Sequence, residues 1–279
     1  MNKISQRVEE IFSQAVGLDQ AGRMRNTIYA LDDTIYILNF DHTVLLRFRL
    51  RKSETPFKSP VSFRANDYDS RQFYEEDGKI VFVSEGGGFT RKKSCASPGD
   101  TPEQIEELFE SFPIIEGNLL RLHRDVLSVL DDALSHIEFS AVDGSPILVQ
   151  RNIYSGAVIE LTRSDASEGL GLGAEVQDQI DTDFGPVGMR TNDFMALFSF
   201  LDSLSFYFPE GESDYCYVKS DSPRLVMDGF ISHCVYDELG GITESRKENK
   251  DGREKQKERG REQGTDRQTE SQPRRSRRK

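Results

Sequence analysis

Cysteine is scarce in this chain, long apolar runs are missing, and the common catalytic signatures are absent; each shortage removes a class of explanation. Three cysteines, Cys95, Cys216 and Cys234, do not build a disulfide framework, and no two of them have metal-ligand spacing. A reducing, cytoplasmic setting fits that count: the host cytoplasm for a viral chain, with the nucleus as the alternative for a eukaryotic one. No apolar run approaches the length of a membrane span. The N-terminus opens on a polar amphipathic segment, so it reads as no secretory signal. There is no Walker loop and no His-Glu-x-x-His. Gly86, Gly87 and Gly88 lack the helix and lysine that a phosphate loop requires. Gly169, Gly171 and Gly173 lack the full dinucleotide fingerprint. His233 and Cys234 are neighbours in a predicted strand and point to opposite faces, which separates them as a catalytic pair. No cofactor or metal is expected, although Asp178, Asp181 and Asp183 leave open a divalent-ion loop beside the plainer reading of a solvated acidic loop.

What is present is uneven. The 279 residues suit one large or two modest domains. Hydrophobic residues make up 36% of the chain, below the usual globular share, and much of that deficit lies at the C-terminus. Residues 244–279 hold 14 basic and 8 acidic residues, a net charge of +6, which leaves the rest of the chain at −18. An acidic body repels nucleic acid unless positive charge is concentrated locally.

Two stretches repeat each other. Val61, Arg64, Asn66 and Asp67 recur at the same spacing as Val187, Arg190, Asn192 and Asp193, with an aromatic residue next in both (Tyr68, Phe194). An apolar run and a Glu-Gly pair follow each: residues 80–83 with Glu85 and Gly86, and residues 204–208 with Glu210 and Gly211. A period of about 125 residues is too long for a solenoid and has the size of a domain.

The predicted elements follow the same order twice. Ile4, Val8, Ile11, Phe12 and Ala15 predict a helix over residues 2–16, stopped by Gly17. Strands follow at 27–31, 34–40, 43–50 and 61–64, then a short helix capped by Asn66 and Asp67, then a strand at 79–84. In the second half, Leu119, Leu122, Val126, Val129, Leu130 and Ala133 predict a helix. Strands follow at 136–142, 146–153, 157–162 and 187–190, then a helix over 194–200 capped by Asn192 and Asp193, and strands at 204–208, 215–219 and 225–233. The expected organisation is α+β: residues 1–97 and 118–239 as two tandem domains, 98–117 as a connector, and 240–279 as a disordered charged tail. In the connector, Thr101, Pro102 and Gln104 form a capping box with proline at the first helical position.

This order of elements resembles the processivity sliding clamps, the family of proliferating cell nuclear antigen and the clamps of T4-like phages. The likeness is carried by residues 187–201 with the strand at 204–208, which look like the clamp's strand–helix–strand crossover, and by the closing strands up to Tyr236. The resemblance implies a non-enzymatic ring that encircles duplex DNA without reading its sequence, tethers DNA polymerase and is opened by a clamp loader. Two repeats per subunit imply a homotrimer; bacterial clamps carry three repeats and close as dimers. The cations expected to face DNA are Lys3 and Arg7 on the first helix, Arg23 and Arg25 just beyond it, and Arg121, His123 and Arg124 on the second. Acids (Glu9, Glu10, Asp125, Asp131 and Asp132) share those two helices. Leu108, Phe109, Phe112, Ile114 and Ile115 are apolar for a connector and would floor a groove for partner peptides, or pack on their own domains.

Other readings stay open. Arg47, Arg49 and Arg51 alternate on one strand face, which is either solvated or part of an interface. The closing cluster of Arg274, Arg275, Arg277, Arg278 and Lys279 is a solvated extension, a nucleic-acid contact or a nuclear address. The chain as a whole reads alternatively as a duplicated α+β protein–protein interaction or viral structural module without DNA encirclement, or as a hydrolase built on the acidic loop.

Overall fold

Buried residues at helical spacing fix the first helix. After strand β1 (Asn2–Lys3), α1 (Gln6–Gly17) buries Val8, Ile11, Phe12 and Ala15 on one face. The Ser5 hydroxyl accepts from the Val8 amide (3.3 Å), which occupies one of the donors a helix start leaves free. The computed structural model describes residues 2–17, 26–39, 42–77, 79–95, 98–115, 117–131, 134–142, 145–152, 158–162, 184–208, 215–222 and 225–232. No helix among them is long and apolar enough to cross a membrane.

The first half continues with β2 (Thr27–Leu31), β3 (Thr34–Leu38), β4 (Val44–Arg49), β5 (Val61–Arg64), a 3-10 turn at Ala65–Asp67, β6 (Gln72–Glu76), β7 (Lys79–Gly86) and β8 (Phe89–Ser94). Asp32 (φ 51°) makes the left-handed corner of the tight β2–β3 turn, a conformation that short polar side chains tolerate. Helix α2 (Pro102–Ser111) connects the halves and carries the expected capping box: Thr101 and Gln104 satisfy each other's backbone amides, with proline in the first turn. The second half runs β9 (Asn118–His123), a 3-10 segment at Arg124–Val129, β10 (His136–Val142), β11 (Ser145–Arg151), β12 (Val158–Thr162), β13 (Phe184–Arg190), α3 (Thr191–Leu197), β14 (Ser203–Phe208), β15 (Tyr215–Asp221) and β16 (Val226–Ser232).

The pairing repeats with the order. The first half forms the antiparallel ladders β5-β2-β3-β4 and β1-β6-β7-β8; the second forms β13-β10-β11-β12 and β9-β14-β15-β16. Strand β4 then pairs with β16, from Arg49 opposite Val226 to Val44 opposite Ile231, which fuses one ladder of each half into an eight-stranded sheet. The counterparts of those two strands, β12 and β8, are the outermost strands of the other two sheets. Counting along the ladders from the repeated Arg64 and Arg190 puts Leu45 and Val158 at equivalent positions, and therefore Arg47 and Glu160.

Three expectations are corrected. The second-half helix is strand β9 followed by a 3-10 segment. Leu120 and Leu122 are buried while Leu119 and Arg121 are not, a period of two, and β9 has β14 as ladder partner. Pairing outweighs a helical pattern that the leucines also satisfy. Asn192 and Asp193 are not caps but lie inside α3; its N-cap position is Arg190, with no side-chain cap bond. Asp193 is buried and accepts from the Thr43 hydroxyl (2.8 Å) and the Asn39 amide nitrogen (3.5 Å), tying α3 to the turn before β4. Strands β6 and β8 were not foreseen, because Gln72, Glu75 and Glu76 in one and Arg91, Lys92 and Lys93 in the other hide their pattern.

One core runs through residues 1–235, which form a single compact unit. Phe12, Phe63, Tyr68 and Phe82 stack edge to face in the first half, and Phe139, Phe194, Phe198 and Phe206 cluster in the second. A second cluster lies on the opposite face of the eight-stranded sheet. There Tyr29, Tyr36, Leu45, Tyr217 and Phe230 are covered by Ile105 and Phe109 of α2. At the β4–β16 seam the backbones are close: a Cβ on Gly229 would lie 2.6 Å from the Leu45 carbonyl oxygen.

Candidate functional site

Two surfaces collect the residues singled out in the sequence. The first is a polar cleft of about 1150 Å³ between α1 and the chain that follows α3. It brings together Arg7 and Arg121, which lie far apart in sequence, and adds Arg51 and Lys219; Glu10, Glu54 and Asp202 line it with them. Four cations against three carboxylates leave it close to neutral. Arg7 is already engaged by Glu54 (3.3 Å), both largely shielded from solvent. Arg124 is paired with Asp202 (3.2 Å), and His123 sits 3.0 Å from Asp125.

Of the other expected DNA-facing residues, Lys3 is exposed on the short edge strand β1. Arg121, His123 and Arg124 stand on a strand and a 3-10 segment, not on a helix face. Arg23 and Arg25 lie outside the described residues, as do the acidic loop at 163–183 and the segment 233–279. Among the described residues no cluster of His, Cys, Asp or Glu has the arrangement of a metal site.

The second surface is the connector. Its apolar residues divide by position on α2. Phe109 is buried, its ring 4.9 Å from Phe230 and 5.8 Å from Tyr36. Phe112 packs on Tyr215 (5.0 Å) and Phe230 (4.9 Å). Leu108 and Ile114 point outward at 41% and 62% exposure, and Ile115 is half-buried against the same cluster. The connector thus supplies both an inner face that seals its own sheet and an outer apolar fringe.

Beneath it lies a charged latch that the sequence did not announce. Arg47, one of the three alternating arginines, is buried, whereas Arg49 remains exposed. Its guanidinium donates to both oxygens of Asp228 across the β4–β16 seam (2.9 and 2.6 Å), donates to Glu110 of α2, and lies 4.1 Å from the centre of the Phe109 ring. The Tyr217 hydroxyl donates to Asp228 (3.1 Å), and the Tyr36 hydroxyl to Glu106 of α2 (3.3 Å). Burial opposes the charge on Arg47, but hydrogen bonds and the charges of Asp228 and Glu110 outweigh it, so its pKa is raised. Burial and then the Glu106 carboxylate push the Tyr36 hydroxyl up to about 12. The planar, forked guanidinium suits this shared role. The period-two spacing of the arginines carried part of the signal; nothing in the sequence paired Arg47 with Asp228, 181 residues away.

No family model and no curated protein matches the chain. Solved structures do. A PCNA2–PCNA3 complex from Sulfolobus tokodaii shares 14% identity over 83% of this chain and 98% of the other, with a TM-score of 0.51. The proliferating cellular nuclear antigen of Entamoeba histolytica shares 9% over 84% and 98%, also at 0.51. The Helicobacter pylori beta clamp bound to a DNA ligase peptide shares 12% at a TM-score of 0.56; the match covers 84% of this chain and 65% of the beta clamp. At such identities the likeness concerns architecture: this chain has the fold of the sliding clamps.

Proposed function

We propose that copies of this chain close into a ring around duplex DNA and serve as a sliding clamp that holds a DNA polymerase and other replication proteins on the template, without enzymatic activity of its own. The observation that carries this reading is the pair of open edges. Strands β4 and β16 seal the two halves together, and their counterparts β12 and β8 are the outermost strands of their sheets. A second copy that repeated the β4–β16 pairing between β12 and β8 would join head to tail, and a rotation that closes makes a ring. Two repeats per chain make three copies the expected number.

In the ring, Arg7, Arg51, Arg121 and Lys219 of the cleft, with Lys3, His123 and Arg124, are the proposed contacts to phosphates. Such contacts attract the duplex without fixing sequence. The outer fringe of the connector, Leu108 and Ile114, is the proposed seat of a partner's apolar peptide; the beta clamp bound to a DNA ligase peptide offers the parallel. A loader that opens the ring belongs to the same reading.

Light scattering tests the assembly: three chains of 31.7 kDa give about 95 kDa. Retention on closed circular DNA, with loss from linear DNA of the same length, tests encirclement. Lys92→Pro tests the edge. The Cys95 amide donates back to β7, so in an alternating ladder the Lys92 amide faces the open side. The variant should fold normally and remain a monomer. A protein that stays monomeric at every concentration and treats circles and linear DNA alike would leave only an interaction module.

A further inference from the structure

We infer that residues 244–279, and above all the five cations at Arg274, Arg275, Arg277, Arg278 and Lys279, supply most of the electrostatic attraction of this chain for duplex DNA. The inference rests on the clamp reading above and specifies where its DNA-binding charge resides.

The described residues give little. The cleft holds four cations and three carboxylates, so its net charge is about one positive unit. Two of the arginines expected to face DNA, Arg7 and Arg124, are already held by Glu54 and Asp202, and Arg71 beside α1 is held by Glu9 (3.1 Å). Releasing such a cation to a phosphate leaves its carboxylate behind, next to the DNA. Residues 1–243 as a whole carry a net −18. Among the described residues, long-range attraction therefore has only a weak source.

The C-terminal segment has the opposite character. From 244 to 279 there is no Ala, Val, Ile, Leu, Met, Phe, Tyr or Cys, so it offers nothing to bury. Residues 244–270 carry nine basic and eight acidic residues and nearly cancel; residues 271–279 carry five cations and no acid. The excess is thus gathered in one short run dominated by arginine, whose guanidinium suits phosphate oxygens. A duplex is the better partner for that run than the acidic body. DNA carries one charge per ~1.7 Å of its axis, and neutralising it releases condensed counterions, a gain that dispersed carboxylates do not offer.

The test uses the full chain and a full-chain variant with Arg274, Arg275, Arg277, Arg278 and Lys279 all changed to Gln. Binding to a short linear duplex is followed by fluorescence anisotropy from 50 to 200 mM NaCl. Each phosphate contact contributes about 0.9 to the slope of log K against log salt. The variant should lose up to about 4.5 units of slope and at least about tenfold in affinity at the low-salt end. A chain ending after Thr243, which keeps the whole compact unit, should behave like the variant. Unchanged slope and affinity, or tighter binding by the variant, would overturn the inference. Retention of both proteins on closed circles is measured alongside. A variant that keeps its slope while circles are still retained removes only the role of the segment. Absence of circle-specific retention in both proteins removes the clamp reading instead.

Discussion

The β4–β16 seam and the free edges of β8 and β12 hold equivalent places in the repeated half, yet their surroundings differ. Leu45 in the seam is 5% exposed; Val158, at the matching position of β12, is 51% exposed. Arg47 in the seam grips Asp228 on the partner strand and Glu110 on the connector; the matching ladder position in β12 is Glu160. At the far end of β8, Phe89 is 81% exposed next to the Gly87–Gly88 turn, whose positive φ angles need glycine. The comparison shows one backbone unit used twice, once sealed within the chain and once at the end of a sheet. The sealed version has an ion pair across its two strands and a covering helix; among the described residues no strand pairs with the outer side of β8 or β12.

The comparison can be broken most directly at Arg47. Arg47→Ala should destabilise the chain by about 3–5 kcal/mol, because it strands the Asp228 carboxylate in the seam. Urea unfolding measures this, and Arg47→Met with Asp228→Leu should recover most of the loss. A loss under about 1 kcal/mol would mean that the latch does not hold the seam.

The sheet that ends in the open edge β12 carries its own sensitive group. Burial, and then the charge of Arg190, lower the pKa of His136 to about 4. The unfolded chain therefore binds a proton that the folded chain refuses between pH 6.5 and 4. Stability is full above about pH 6.5 and falls across that window, by up to ~3 kcal/mol from this residue. His136→Gln should flatten that part of the pH profile; an unaltered profile would refute the assignment.

Gly229→Ala sharpens the seam side of the contrast. Its Cβ would meet the Leu45 carbonyl oxygen and the Leu46 side chain, at 2.6 and 2.7 Å. A loss of about 1–3 kcal/mol is expected, as for other overpacked sites, and would appear as a lower thermal midpoint. On the edge side, Phe89→Ser should change the stability of the dilute single chain by no more than about 0.5 kcal/mol. A larger loss would show that this ring already packs within its own copy.

Much of the architecture was legible because its signals are local. Strands at 27–31, 61–64 and 136–142 follow from β-branched and aromatic runs, and the repeat of Val, Arg, Asn and Asp lines up with β5 and β13. The capping box at Thr101 started a helix as expected. Less of the candidate site was readable. Arg7 and Arg121 do share a cleft, but through a strand that the sequence presented as a helix. The connector's five apolar residues looked alike in the sequence, and packing divided them: Phe109 and Phe112 face the sheet, Leu108 and Ile114 face outward.

The sequence by itself determined the doubling of the unit, the amphipathic first helix, most strands, the absence of a catalytic signature and the separation of charge between body and C-terminus. These are properties of neighbours along the chain, where spacing and side-chain chemistry suffice. Only the tertiary structure decided that β9 is a strand, that Arg47 meets Asp228 and Glu110, that Arg7 in the cleft is already matched with Glu54, and which strands end their sheets among the described residues. Each of those depends on pairing between residues far apart in sequence, where burial and ladder hydrogen bonds select one partner among many that local pattern leaves equivalent.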